Sequence, residues 1–175
     1  MDVKLKDILT KLNIEKTHLV YFETGKFTEL SFNKEKRIYN ITLTLDEPLP
    51  AFVYVSTLEA FQNYLKQNEE KVLVALYIKL TKPSFDCKTV KDYITFYVDS
   101  KEKNPEDYEF FKEQSMSIKN NVIKITYSSS LMEECLNVLK VKLERFLSAA
   151  GFSYLTIDYI YIEPEENIFD YEKDK

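Results

Sequence analysis

Glycine is nearly absent: the 175 residues contain two, Gly25 and Gly151, far apart in the chain. Loops that cradle phosphates need glycine for positive φ and close backbone approach, so neither a P-loop nor a dinucleotide-binding fingerprint can be written here. Histidine occurs once, at His18, and cysteine twice, at Cys87 and Cys135. A structural zinc site wants four such ligands, usually in close pairs, and a histidine-based triad could use only His18, which has no nucleophile pattern beside it. The two separated cysteines read as buried thiols and His18 as an ordinary surface or packing residue. Tryptophan is missing, arginine is limited to Arg37 and Arg145, and no apolar run approaches the roughly 18 residues of a membrane span. The N-terminus lacks a signal-peptide pattern, so the expected location is cytoplasmic.

What the chain does have is aromatic mass, with 12 Phe and 13 Tyr in a sequence that is 45% hydrophobic. A chain of this length buries roughly 70% of its extended surface, which predicts one domain with a full core. The net charge is −5, yet Glu163 to Lys175 alone holds six acids and two bases. The body, residues 1–162, is therefore almost neutral, and the expected division is a globular domain at 1–162 with an acidic linker at 163–175. Bulk electrostatic attraction to nucleic acid is not expected from such a body.

Periodicity predicts the elements. Leu5, Ile8, Leu9 and Leu12 have helical spacing, as for a docking helix at the domain edge. Residues 25–32 and 37–45 flank the polar Asn33-Lys-Glu-Lys36 and alternate, which reads as a β-hairpin with one wet face. After Pro48 and Pro50, Tyr54, Leu58, Phe61 and Leu65 mark an amphipathic helix. Lys71 to Leu80 is apolar almost throughout and reads as a central strand covered on both faces. A helix is expected from Asp86 or Cys87 and a short one after Asn104-Pro105, followed by strands near 115–119 and 121–127. Ser130-Leu-Met-Glu133 fits a capping box that opens a helix with the stripe Leu131, Cys135, Leu139, Leu143, Phe146, Leu147 and Ala150, ended by Gly151. A last strand spans Tyr154 to Ile162. No internal repeat stands out. Helices and strands mix without strict βαβ alternation, so the expected class is α+β, a single domain with a mixed or antiparallel sheet packed by helices.

Catalytic chemistry finds little support. Asp46-Glu47 precedes a proline, and Asp158 has no acidic neighbour on its strand, so a two-metal carboxylate site is not expected. No cofactor or small-molecule ligand is implied. Lys34, Lys36 and Arg37 beside Tyr39 form the best basic-aromatic cluster, open to two readings: a nucleic-acid or partner contact, or a solvated turn guarding an edge strand. Lys140, Lys142 and Arg145 read as the polar face of the long helix. Ile168, Phe169 and Tyr171 are apolar within the acidic tail, as in short binding motifs, or belong to a plain linker.

Gly25-x-Phe27-x-x-Leu30, the Asn33–Lys36 turn, Arg37-x-Tyr39-x-Ile41 and the proline-bounded helix together resemble the opening of a known family. They are similar to the N-terminal domain of PolC-type DNA polymerase III, the replicative polymerase of low-G+C Gram-positive bacteria and mycoplasmas. The apolar strand, the long helix ending at Ala150-Gly151-Phe152 and the closing strand extend the resemblance over about residues 15–165. Tyr39 stands where relatives carry Trp. The resemblance implies a non-catalytic module of a polymerase whose other domains perform DNA synthesis and 3′–5′ exonuclease proofreading, with Lys175 inside a linker. It further implies an incomplete KH-like fold, as in the polymerase-binding domain of the clamp-loader tau subunit. The Gly-x-x-Gly clamp of a working KH site cannot be supplied by this sequence. Contacts with replisome proteins, a clamp-loader or other polymerase-associated subunit, are thus implied, with weak or no direct nucleic-acid binding and no membrane contact. A stand-alone nucleic-acid-binding module using the hairpin tip is the alternative.

Overall fold

Alternation in Ile38–Leu45 puts Ile41, Leu43 and Leu45 on one face, and all three are buried. That strand, β2, is the centre of a three-stranded sheet, in a computed structural model that describes residues 5–67, 71–101 and 115–163. Strand β1, Lys26–Asn33, pairs antiparallel with β2 and carries a bulge between Phe27 and Glu29. Helix α2, Ala51–Lys66, crosses over to β3, Leu73–Leu80, which runs parallel to β2. The second sheet repeats this plan: β4, Met116–Lys119, and β5, Val122–Tyr127, form a hairpin, α4, Glu133–Ala149, crosses over, and β6, Thr156–Tyr161, lies parallel to β5. Helix α1, Leu5–Lys11, and a 3-10 segment, Lys16–Phe22, precede the first unit, and α3, Cys87–Lys101, precedes β4. The architecture is α+β, with two mixed sheets where the sequence suggested one.

The duplication extends to backbone detail. Leu73 N–H donates to Arg37 C=O at 3.0 Å, and Thr156 N–H donates to Asn121 C=O at 3.1 Å. Both acceptors have positive φ, 54° at Arg37 and 62° at Asn121. Gln62 and Glu144 occupy the same place in their crossover helices, and each side-chain oxygen accepts an N–H from the second residue of the next strand, Val74 at 2.8 Å and Ile157 at 2.9 Å. The repeat is not legible along the chain because these equivalences reside in geometry; in the paired strands only pieces such as Ile41-Thr42 and Ile125-Thr126 coincide.

One core joins the two units. Its seam is aromatic: Tyr93 of α3 lies 5.8 Å from Tyr54 of α2, 5.7 Å from Phe146 of α4 and 5.3 Å from Phe152, centroid to centroid. Just before β1 a Cβ on Gly25 would stand 2.5 Å from Leu45 Cδ2 and 2.7 Å from Leu5 Cδ2, so a side chain there would require these two core leucines to shift.

Several expectations need correction. Strand β3 is an edge strand, not a central one; Leu76 and Ile78 are buried, while Leu73 and Tyr77 are exposed on the other face. Its apolar run reflects packing against α2 and α4 along one side. The capping box does not form: Ser130–Met132 is a 3-10 turn, and the N-cap of α4, Met132, makes no side-chain cap bond. The buried stripe is Leu136, Leu139, Leu143 and Leu147, and Leu131 is 93% exposed. Steps of four residues drift by about 40° per step on a 3.6-residue helix, which carries Cys135 and Leu131 off the core face. Both cysteines are consequently exposed thiols and not buried ones, Cys87 being the first residue of α3. The helix expected after Asn104-Pro105 lies outside the described residues.

Candidate interaction surface

The hairpin tip is built by side-chain and backbone bonds that leave its members in different roles. Asn33 Oδ1 accepts the Lys36 N–H at 3.1 Å, which closes the turn, and Arg37 takes the left-handed conformation that leads into β2. Arg37 Nε donates to Lys71 C=O at 3.1 Å, and its own carbonyl accepts from Leu73. Arg37 therefore ties the hairpin to the start of β3, a fixed geometry that a free phosphate ligand does not share. Tyr39 stacks on Phe32 across the two strands at 4.5 Å. Lys34 and Lys36 remain exposed at the turn. The structure thus brings Lys34, Lys36, Arg37 and Tyr39 to one end of the sheet, with Arg37 and Tyr39 engaged in holding the hairpin. Ile168, Phe169 and Tyr171 lie outside the described residues.

Sequence reasoning missed the neighbours of this cluster. Leu30 is 56% exposed and Phe32 36%, on the same sheet face as Tyr39 and Ile41, because the hairpin runs past the helices that cover the rest of that face. The available signal was the alternation of Leu30 and Phe32 continuing into a charged turn, which places apolar side chains at a solvated end. Val138 and Val141 are exposed on the outside of α4, and Leu131 is exposed in the 3-10 turn that precedes it. Arg145 lines a shallow groove of about 340 Å³ with Tyr54, Leu58 and Tyr77, between α2, β3 and α4.

The carboxylates and His18 serve local structure. Hydrogen bonds from Thr24 and Thr81 hold the Asp46 carboxyl below its usual range, with Lys82 and Lys26 adding to the effect against a small burial penalty. Asp46 is thereby an anchor at the end of β2, its Oδ1 accepting from Thr81 Oγ1 at 2.8 Å. Asp158 is exposed on β6. His18 is buried against Phe52, edge to face at 5.5 Å, with Nε2 3.5 Å from Glu15. Among the described residues no three His, Cys, Asp or Glu side chains converge as metal ligands, and no helix is long and apolar enough to cross a membrane.

No curated protein and no solved structure matches the chain, so the KH-like likeness implied by the sequence resemblance is not confirmed. A family model described as DNA polymerase III polC-type N-terminus I matches residues 4–76, from α1 through the hairpin, the Arg37 anchor and α2 into β3. The stretch that carries Leu30, Phe32, Lys34, Lys36, Arg37 and Tyr39 lies inside that segment, and over residues 4–76 the chain is similar to the N-terminal family of PolC-type DNA polymerase III.

Proposed function

We propose that this chain is the non-catalytic N-terminal interaction module of a PolC-type replicative polymerase in the cytoplasm, and that it contacts other replisome proteins. The observation that carries the reading is the exposed Leu30 and Phe32, with the half-buried Tyr39 stacked on Phe32, at the end of the hairpin within the family-matched segment. Apolar groups held in water at a rigid strand end favour a protein surface over a phosphate backbone. Template-directed synthesis and 3′–5′ proofreading belong, on this reading, to other domains of the polymerase.

Mixing the chain pairwise with purified replisome proteins, a clamp-loader subunit first, is expected to give a one-to-one complex of about micromolar Kd or tighter by calorimetry. Absence of a complex with every protein of the panel would overturn the proposal.

Direct DNA binding is expected to be weak, with a Kd no tighter than about 10⁻⁴ M for single- or double-stranded oligonucleotides at physiological salt. Lys34→Ala with Lys36→Ala should change that titration less than about twofold, because two phosphate contacts supply little of a nonspecific affinity. Micromolar binding that these substitutions abolish would instead support a stand-alone nucleic-acid module.

A further inference from the structure

Among the described residues the four sheet edges are not treated alike. Along β3 the outward-pointing backbone is taken by α2: Gln62 Nε2 donates to Val72 C=O at 2.6 Å, Gln62 Oε1 accepts from Val74, and Tyr54 OH donates to Leu76 C=O at 2.7 Å. Along β6 Glu144 accepts from Ile157. Strand β4 has four residues, and its outward-facing Met116 is buried. Strand β1 has eight residues, and no hydrogen bond from another described element reaches its outer backbone.

The phase of that backbone follows from the ladder. Leu73 and Thr81 donate to Arg37 and Leu45, so odd-numbered residues of β2 face β3. Ile38, Asn40 and Thr42 then face β1, opposite Asn33, Ser31 and Glu29. Leu30 and Phe32 alternate with these, and so aim their N–H and C=O groups away from the sheet. The same two residues carry the exposed apolar side chains. An open, apolar edge of this length is a template for one more strand, since added main-chain bonds give affinity and alternate side chains give specificity.

Charge selects the occupant. Lys26 opens the strand and Lys34 and Lys36 close it, with no carboxylate in salt-bridge range of them among the described residues. A second copy fits badly. Antiparallel self-pairing with Leu30 opposite Leu30 sets Lys26 against the copy's Lys34, and the register with Leu30 opposite Phe32 sets Lys26 against the copy's Lys36. Like charges directly opposed across a ladder are destabilising. We infer that the outer edge of β1 is a strand-addition site for an extended segment of a partner protein, apolar at alternate positions and acidic at its ends. The inference rests on the protein-interaction reading above and names the edge and the chemistry of the partner segment.

The test is a displayed library of random twelve-residue peptides panned on the full chain, followed by amide hydrogen exchange with the selected peptides. Enriched peptides are expected to alternate apolar residues between acidic ends and to slow exchange at Leu30 and Phe32 at least tenfold. Phe32→Pro removes an outward N–H that takes no part in the β1–β2 ladder, so it is expected to keep the fold and weaken binding at least tenfold. Lys34→Glu with Lys36→Glu leaves the backbone alone and should weaken binding by a similar factor. Selection of peptides without this pattern, protection of amides elsewhere, or binding indifferent to both variants would overturn the inference. Should a replisome protein bind Phe32→Pro as tightly as the wild type, strand addition fails while the protein-interaction reading stands. Peptides that add to β1 when no replisome protein binds would support the edge and count against the function.

Discussion

Tyr93→Ala is expected to lower the unfolding free energy by about 3–5 kcal/mol, the range for deleting a large buried aromatic side chain. Tyr93 is fully buried in α3, and its ring touches Tyr54, Phe146 and Phe152, which belong to both duplicated units. Few neighbours can close the hole, because the wall is made of other rings already fixed in the seam. Since domains of this size are stable by about 5–15 kcal/mol, the variant should retain only part of its cooperative transition in urea. Tyr93→Phe separates the hydroxyl from the ring. It leaves Leu49 C=O, now the acceptor of the Tyr93 hydroxyl at 2.7 Å, without its donor, at a cost of about 1–3 kcal/mol. Burial, with a smaller contribution from Tyr54, pushes the Tyr93 phenol far above its ordinary range, and burial acts in the same direction on Tyr54. The unfolded chain ionises these groups near pH 10 and the folded chain does not, so stability is intact below about pH 10 and is lost as pH rises beyond it. Tyr93→Phe should show a shallower alkaline decline than the wild type. An equal decline would place the titrating groups elsewhere.

Gly151→Ala is expected to cost about 2–4 kcal/mol by combining backbone strain with crowding. Gly151 has φ of 110°, outside the regions that side chains tolerate. It sits just past α4 in a closed C-terminal motif, where Gly151 N–H donates to Ser148 C=O at 3.1 Å and Phe152 N–H to Leu147 C=O at 2.8 Å. A Cβ there would lie 3.1 Å from Leu80 Cγ and 3.4 Å from Ile78 C=O, at the end of β3. The motif therefore docks the end of one unit's helix onto the other unit's sheet. Urea titrations should show a lower midpoint with an unchanged slope. An unfolding free energy within about 0.5 kcal/mol of the wild type would mean that the turn relaxes freely.

Much of this was legible in the chain. Alternation from Ile38 to Leu45 announces a half-buried strand, since period two and β-branched residues leave few other choices. Gly151 after a long apolar stripe announces a helix stop for the same local reason. The errors are non-local. Nothing within residues 71–80 says whether the second side of an apolar strand meets another strand or the side chains of α2, so an edge strand such as β3 looks central in the sequence. The phase of α4 depended on a 3-10 turn at Ser130–Met132 that a four-residue step cannot detect. At the candidate surface Lys34 and Lys36 were found because a charged turn between alternating strands is a local signal. The anchoring of Arg37 to Lys71 and the openness of Leu30 and Phe32 were not found, because each depends on what packs beyond the hairpin.

The doubled plan of hairpin, crossover helix and parallel strand bears on how the chain reaches its native state. Every strand pairing closes within one unit, across separations of a few dozen residues, so neither half must wait for the other to form its ladder. What cannot form within a half is the ring of Tyr54, Tyr93, Phe146 and Phe152 and the docking of Gly151 on Leu80. The kinetic barrier should accordingly split, with two fast local closures followed by a slower docking of one half upon the other, and the aromatic seam should set the rate of the last step.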